Sequence, residues 1–503
     1  MVVRLRMRCV APAQAALAAS LAVTLAFLPA AGGVGAAAGG VADDALRLPA
    51  LVAWVQENGG WLNPSLELRD GRYGASMFAT APIRRGEPLV RTPLRLTLSG
   101  DTVLRRLPDD GGGTGPLAAA LRRLLAVNQT SEAVSLFLAS QRSTNGREAG
   151  DTFLRPFVAS MPAAIANALA FSAAELGALR GSGAETVARG MQQTAARQFA
   201  HLRETEPLLF GESLEEDHQI LEEGHPILDR EDLLWATSMV MSRGFGVAMP
   251  PPDAATGAEN EGACSAERVL RHMVPLMDTF NHDGGAASSV AFDAGTAELV
   301  LTTHDAWVAR EEVFINYGDF SPSEFLTGYG FVPTAAPARR SKEGGEPSER
   351  RDRAAAIDLG LPPPHATSAA GRMKAAVLAA LGPGALTLTA ADCLLHLGNR
   401  STYPEALAGS SPLSLRLQRL SATDFEIDLL ETLGKELRAR EGRYATTLEQ
   451  DEELLVSGGA AAELPRLRAL LPLLVGEKQL LRGCAGRVAE ALMRAKLRKA
   501  GVT

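Results

Sequence analysis

Two short apolar islands near the middle of the chain constrain its fold more than any other stretch. The first reads Val274-Pro275-Leu276-Met277-Asp278-Thr279-Phe280-Asn281-His282-Asp283. The second reads Val313-Phe314-Ile315-Asn316-Tyr317-Gly318-Asp319 and leads on to Tyr329-Gly330-Phe331-Val332. Tyrosine is scarce, five in 503 residues, and two of the five stand here across a polar turn. A tyrosine places a hydroxyl on an apolar ring, and a buried hydroxyl normally finds a partner. Periodicity alone reads the islands as two core strands with tyrosine filling space.

Around the islands the chain alternates between strand signals and long helical stretches. Leu46 to Glu57 carries Leu48, Leu51, Val52 and Val55 on one helical face, and Asn58-Gly59-Gly60 stops it. The run Gly71-Arg72-Tyr73-Gly74-Ala75-Ser76-Met77-Phe78-Ala79-Thr80 leads into 82–90 as strand, turn and strand. Residues 101–230 give helical periodicity over Leu117–Val127, Ala133–Gln141 and Val187–Leu202, broken by the loop signal Asp109-Asp110-Gly111-Gly112-Gly113. Leu233 to Phe245 is a further helix with Trp235, Met239 and Ser242 at helical spacing; the Arg243 at its end is either solvated or aimed at a ligand. Pro250 to Cys264 is a loop, and the charged run Ala338 to Arg353 reads as an exposed linker. From Ala369 onward the signals are all helical, ending near Lys499.

A chain of this length exceeds one ordinary core, so two domains with additions are expected. The net charge of −8 and the lack of a strong basic run argue against nucleic acid as the main partner. Cys9, Cys264, Cys393 and Cys484 have no C-x-x-C spacing, and the histidines lack metal-ligand spacing, so neither a disulfide framework nor a metal site is expected. Residues 1–40 have the plan of a targeting segment: Arg4, Arg6 and Arg8, a short apolar stretch, then small residues. That segment is compatible with a secretory or a plastid route. The apolar stretch is short for a membrane span, so no stable span is expected once the leader is removed.

The island Asp278-x-x-Asn281-His282, then Asn316-Tyr317-Gly318, then Tyr329-Gly330-Phe331 resembles the C-terminal half of a SET domain of the Rubisco large-subunit lysine methyltransferase type. Three separated motifs occur in the family's order. The resemblance implies an α+β fold: a β-rich SET domain over 45–333 with a helical insertion around 101–230, a linker over 334–366, and an all-α substrate-binding domain over 367–503. Tyr444-Ala445-Thr446-Thr447, Gln450-Asp451-Glu452 and Gly476-Glu477-Lys478 resemble that last domain. It further implies S-adenosylmethionine as cofactor and a protein bearing a target lysine as partner. By this likeness Gly74 and Ala75 offer backbone to the cofactor, and Arg243 pairs with its carboxylate. Asn281 and His282 meet its amino group and adenine, while Asp278 braces the turn. Tyr317 stands at the methyl-transfer pore and Tyr329 shapes the far wall. The chain departs from the family in three places. Ser76 replaces the second glycine of the first strand, Tyr73 replaces a glutamate, and Pro322 replaces an asparagine.

One relative branch acts on an actin histidine and has asparagine two residues after the matching arginine. This chain has Phe245 there and keeps Tyr329, where that branch has no tyrosine. Both features favour lysine as target, with Phe245 and Tyr329 lining the substrate side. Protein-histidine methylation and a catalytically weak SET-like binding module are the alternatives. Neither G-x-S-x-G nor a P-loop is present to support a hydrolase or nucleotide-binding enzyme.

Overall fold

The first helix, α1 (Arg47–Glu57), buries Leu48, Leu51, Trp54 and Val55 along one stripe and stops where the Gly60 amide bonds back to Val55. The structure, a computed structural model, describes residues 47–106, 115–142, 152–211, 227–250, 268–318, 320–333, 357–358, 387–388, 422–457 and 466–502. The targeting segment, the glycine loop around 111, nearly all of the 250–264 loop and most of the stretch from 334 to 421 lie outside the described residues.

Strands follow α1. β1 (Trp61–Leu62), β2 (Leu66–Gly71), β3 (Gly74–Ala79) and β4 (Pro88–Pro93) are all short. β2 and β3 form an antiparallel hairpin in register from Leu66↔Ala79 to Gly71↔Gly74. The hairpin is thus one strand earlier than the sequence suggests: β3 turns back onto 66–71 and not onto 82–90. Gly74, with φ +89°, supplies the left-handed step that closes the turn. Its partner strand escapes notice because Glu67, Arg69 and Asp70 make Leu66–Gly71 look like loop.

A helical block occupies the middle of the chain. It comprises α2 (Gly100–Val103), α3 (Pro116–Ala126), α4 (Thr130–Arg142), α5 (Arg155–Ser160), α6 (Ala173–Ala178), α7 (Gly183–Thr205) and α8 (Arg230–Arg243). β5 (Gly244–Met249) starts where α8 ends and pairs with β6 (Arg268–Met273). β7 (Ser288–Asp293) and β8 (Glu298–Thr303) complete an antiparallel sheet in the order β1-β4-β8-β7. After α9 (Pro322–Tyr329) come a two-residue ladder of β9 (Ile357–Asp358) with β10 (Thr387–Leu388), then α10 (Ala422–Glu441), α11 (Leu448–Ser457) and α12 (Leu467–Lys499). Small strands gathered apart from the helices make the fold α+β.

Two apolar cores hold these elements. The first joins α1, the strands, α4 and α8, with Trp307, Phe137 and Phe280 among its fully buried side chains. The second joins Ala168–Ala188 and Leu326 to α10, α11 and α12. Part of the helical insertion therefore shares a core with the C-terminal helices. Cys484 is disulfide-bonded, which corrects the expectation drawn from cysteine spacing. The other three cysteines lie outside the described residues, and folding can bring together cysteines far apart in sequence. No helix among the described residues is long and apolar enough to cross a membrane.

Candidate active site

Arg243 is aimed by the end of α8. The Asp229 side chain caps the helix by accepting from the Asp232 amide, and Trp235 anchors it through an indole bond to the Pro162 carbonyl. At the far end Arg243 Nη1 donates to the Asp278 carbonyl at 2.9 Å and to Asp278 Oδ2 at 3.2 Å. The rest of its guanidinium makes no bond to any described residue. Asp278 sits in a tight turn, Met277–Thr279, entered through Leu276 at φ 67°, a backbone state uncommon for leucine. Burial raises the Asp278 carboxyl above its ordinary range even though the Arg243 charge pulls it down, and its Oδ1 has no partner.

Beyond Phe280 the chain crosses under the second island. Ile315 N donates to Asn281 O and Asp283 N to Ile315 O, so 281–283 and 315 run side by side. On its other side the second island binds the hairpin: Val313 N donates to Met77 O, and Ala79 N to Glu311 O. Residues 311–317 thus thread between β3 and the Asn281-His282 segment. The islands are not a pair of regular strands; single bridges, His282↔Ile315 and Phe78↔Glu312, do the joining.

This crossing sets the side chains. The Tyr317 hydroxyl donates to Phe280 O at 2.7 Å, and the Tyr317 amide donates to His282 Nδ1 at 3.2 Å. Accepting at Nδ1 leaves the His282 proton on Nε2. Burial lowers the His282 pKa to about 4, with Asp283 opposing, so the ring is neutral at pH 7. Burial also drives the Tyr317 phenol up, against the Arg243 charge and with help from Tyr329, Asp278 and Glu312. Tyr329 stacks on Tyr317 with centroids 5.2 Å apart, and its phenol is raised by burial with Arg271 opposing. Phe325 and Phe331 pack around His282.

A cavity of about 230 Å³ opens among these groups. Arg243, Phe245, Asp278, Tyr317 and Tyr329 all line it. Asn281, His282, Gly74 and Ala75 are not among the residues that line it. Asn281 Nδ2 donates to Ala75 O at 3.3 Å, Ser76 Oγ at 2.8 Å and Glu312 Oε1 at 2.8 Å. Gly74 is exposed at the hairpin turn, as is Tyr73. Sequence reasoning missed Glu312, and it missed Ser242, Ser288 and Ser289 in the lining. Glu312 carries a faint signal, an acid set against an apolar run. The serines carry none, because their placement depends on how β5 and β7 meet.

Pro322 costs its helix no backbone hydrogen bond. It occupies the first turn of α9, where the Ser321 side chain accepts from the Glu324 amide and Glu324 accepts from the Ser321 amide. A first-turn residue has no helical acceptor for its amide, so proline costs no hydrogen bond there. No group of metal-ligating side chains occurs among the described residues.

The model of the family described as Rubisco LSMT substrate-binding matches residues 395–481. The actin-histidine N-methyltransferase of Drosophila melanogaster is 25% identical over 299 residues, covering 58% of this chain and 50% of that protein. The same enzyme of Otolemur garnettii is 24% identical over 286 residues, covering 56% of this chain and 42% of that protein. The chain thus spans half or less of the curated relatives it matches. Among solved structures, the SET domain of LSMT bound to lysine and AdoHcy aligns with a TM-score of 0.56 at 19% identity, over 89% of this chain and 92% of that one. LSMT bound to AdoMet aligns with a TM-score of 0.56 at 18% identity, over 91% and 96%. The chain thus has the fold of the LSMT SET domain, and its segment 395–481 matches the Rubisco LSMT substrate-binding family.

Proposed function

We propose that the chain is an S-adenosylmethionine-dependent protein methyltransferase acting on a lysine side chain of a non-histone protein. The observation that carries this reading is the Tyr317 hydroxyl bonded to the Phe280 carbonyl on the wall of a cavity shared with Arg243, Asp278 and Tyr329. The residues present fit the cofactor. Arg243 has guanidinium donors left over for a carboxylate. Asn281 Oδ1 accepts no hydrogen bond from any described residue and suits an ammonium group. Gly74 and Ala75 present backbone at the adjoining turn, and the His282 backbone is the remaining candidate for the adenine.

When bound, the cofactor supplies an electrophilic methyl group. The protein's task is positioning, which accounts for much of the rate in a displacement of this kind. Tyr317 holds its proton, because burial keeps the phenol neutral, and it spends that proton on Phe280 O. Its oxygen lone pairs remain to orient a neighbouring group; it is not a base. The stacked ring of Tyr329 narrows the channel. A lysine ammonium, with a free pKa of about 10.4, loses charge more readily on entering such an enclosed site beside Arg243.

The relatives named for histidine methylation support a second reading. An imidazole presents a second ring nitrogen that needs a partner when buried. Phe245, on the cavity wall, offers none, which favours lysine. Incubating a lysate with the protein and labelled S-adenosylmethionine, then locating the label by mass spectrometry, separates the two. Label on lysine supports the proposal, label on histidine replaces it with the second reading, and no label with no heat of cofactor binding leaves a SET-like binding module. The leader's basic and apolar plan further suggests a plastid or secretory route.

A further inference from the structure

The Asn281 amide is surrounded on its nitrogen side by acceptors: the Ala75 carbonyl, the Ser76 hydroxyl and the Glu312 carboxylate. The Ser76 hydroxyl gives its own proton to Gly74 O at 3.0 Å, so toward Asn281 it can only accept. Were the amide turned over, its oxygen would face three other oxygens, one of them charged. That arrangement is repulsive at every contact, so the surroundings admit only the nitrogen. Oδ1 is left without a partner among the described residues.

Three separate segments converge to do this. Ser76 comes from β3, where it is fully buried. Glu312 is carried by the threading segment and is fixed in depth by its bridge to Phe78. Asn281 belongs to the segment on the other side of the thread. The chain has also made room for Ser76. A Cβ at Gly71 would lie 2.5 Å from Ser76 Oγ and 2.8 Å from Ser76 Cβ, so the hydroxyl occupies space that any other residue at 71 would need.

We propose, resting on the methyltransferase reading, that Glu312 and Ser76 are positioning residues that lock the Asn281 amide with its oxygen free to receive the ammonium of the cofactor's amino-acid end. Ser76, which stands where the family has glycine, then supplies part of the site. The Glu312 bond matters more, because a carboxylate makes the stronger, charge-assisted contact.

The test compares two ligands by titration calorimetry on the full chain. S-adenosylhomocysteine carries the amino-acid end; 5′-methylthioadenosine lacks it. Glu312→Ala is expected to weaken S-adenosylhomocysteine roughly 10-fold, the value of one charged hydrogen bond, with methylthioadenosine unchanged. Glu312→Gln, whose amide oxygen still accepts from Asn281, is expected to recover most of the loss, and Ser76→Ala to lose about 3-fold. Should Glu312→Ala not fold, Glu312→Asp, which withdraws the carboxylate by one methylene, takes its place with a loss expected in the same direction. Equal weakening of both ligands, or no weakening of either, overturns the inference while leaving the methyltransferase reading intact. A wild-type chain that binds neither ligand removes that reading and the inference with it.

Discussion

At the scale of single residues, Tyr317 makes the sharpest prediction. Tyr317→Phe removes the hydroxyl that meets Phe280 O, leaves the ring stack with Tyr329, and strands a carbonyl in a partly buried site. Methyl transfer to the labelled protein target is expected to fall about 100-fold or more through lost positioning, with a stability cost of about 1–2 kcal/mol. Full activity in a folded variant would remove Tyr317 from the mechanism. Arg243, Phe245, Asp278, Tyr317 and Tyr329 were singled out in the sequence through their likeness to the family's motifs, and all five line one cavity. Glu312 was not legible, because its role arises where three segments cross and no spacing within one segment encodes that crossing. Asn281 is held through its amide nitrogen to Ser76 and Glu312, and His282 packs against Phe325.

At the scale of elements, α9 carries Tyr329 and ends at Gly330, whose φ is +85°. A Cβ there would lie 2.4 Å from the Ala166 carbonyl oxygen. Gly330→Ala therefore meets both a strained backbone and a backbone clash, and is expected to cost about 2–4 kcal/mol in urea denaturation. An unchanged midpoint would mean that α9 can move off Ala166 freely. A second prediction concerns the helices α10 to α12. Burial raises Glu477 to about 7, against its hydrogen bond from Tyr444 and the charges of Arg440 and Lys478. The folded state then binds the extra proton between about pH 4.5 and 7, so this group's contribution is present below 4.5 and is lost as pH rises through 7. His272 and His282 act in the opposite sense. Burial lowers both to about 4, so the unfolded chain binds more protons between 6.5 and 4, and stability falls as pH drops through that window. The two effects offset each other in the wild type. Glu477→Gln removes one of them, so its melting temperature is expected to fall more steeply than wild type between pH 6.5 and 4.5. Parallel curves would mean that Glu477 is charged in the folded protein.

At the scale of the whole molecule, the part of the helical insertion around α6 and α7 shares a core and a buried charge with the C-terminal helices. Arg466, at the start of α12, reaches across to the insertion. Its Nη1 donates to both Glu175 oxygens at 3.2 and 3.4 Å and to Ala170 O at 3.3 Å, and its Nη2 donates to Ile165 O at 2.9 Å. The Glu175 side chain is 1% exposed, and its only other bond among the described residues is to the Ser172 amide. Removing Arg466 strands that carboxylate, and breaking such a pair from one side costs more than replacing both partners. Arg466→Ala is expected to lose about 2–4 kcal/mol, discounted from the fully buried case because Arg466 is 31% exposed. Arg466→Met with Glu175→Gln should recover part of that. Hydrogen exchange supplies the decisive readout. With a shared core, protection in α6 and α7 should fall together with protection in α10 to α12, while the first core, around β4 and β8, keeps its own. Because α9 packs through Leu326 into the same second core, Tyr329 should loosen with it, and the stacked wall of the cavity would then depend on a helix far along the chain. Loss confined to α12 would instead make Arg466 a local cap, and Tyr329 would be held by the first core alone.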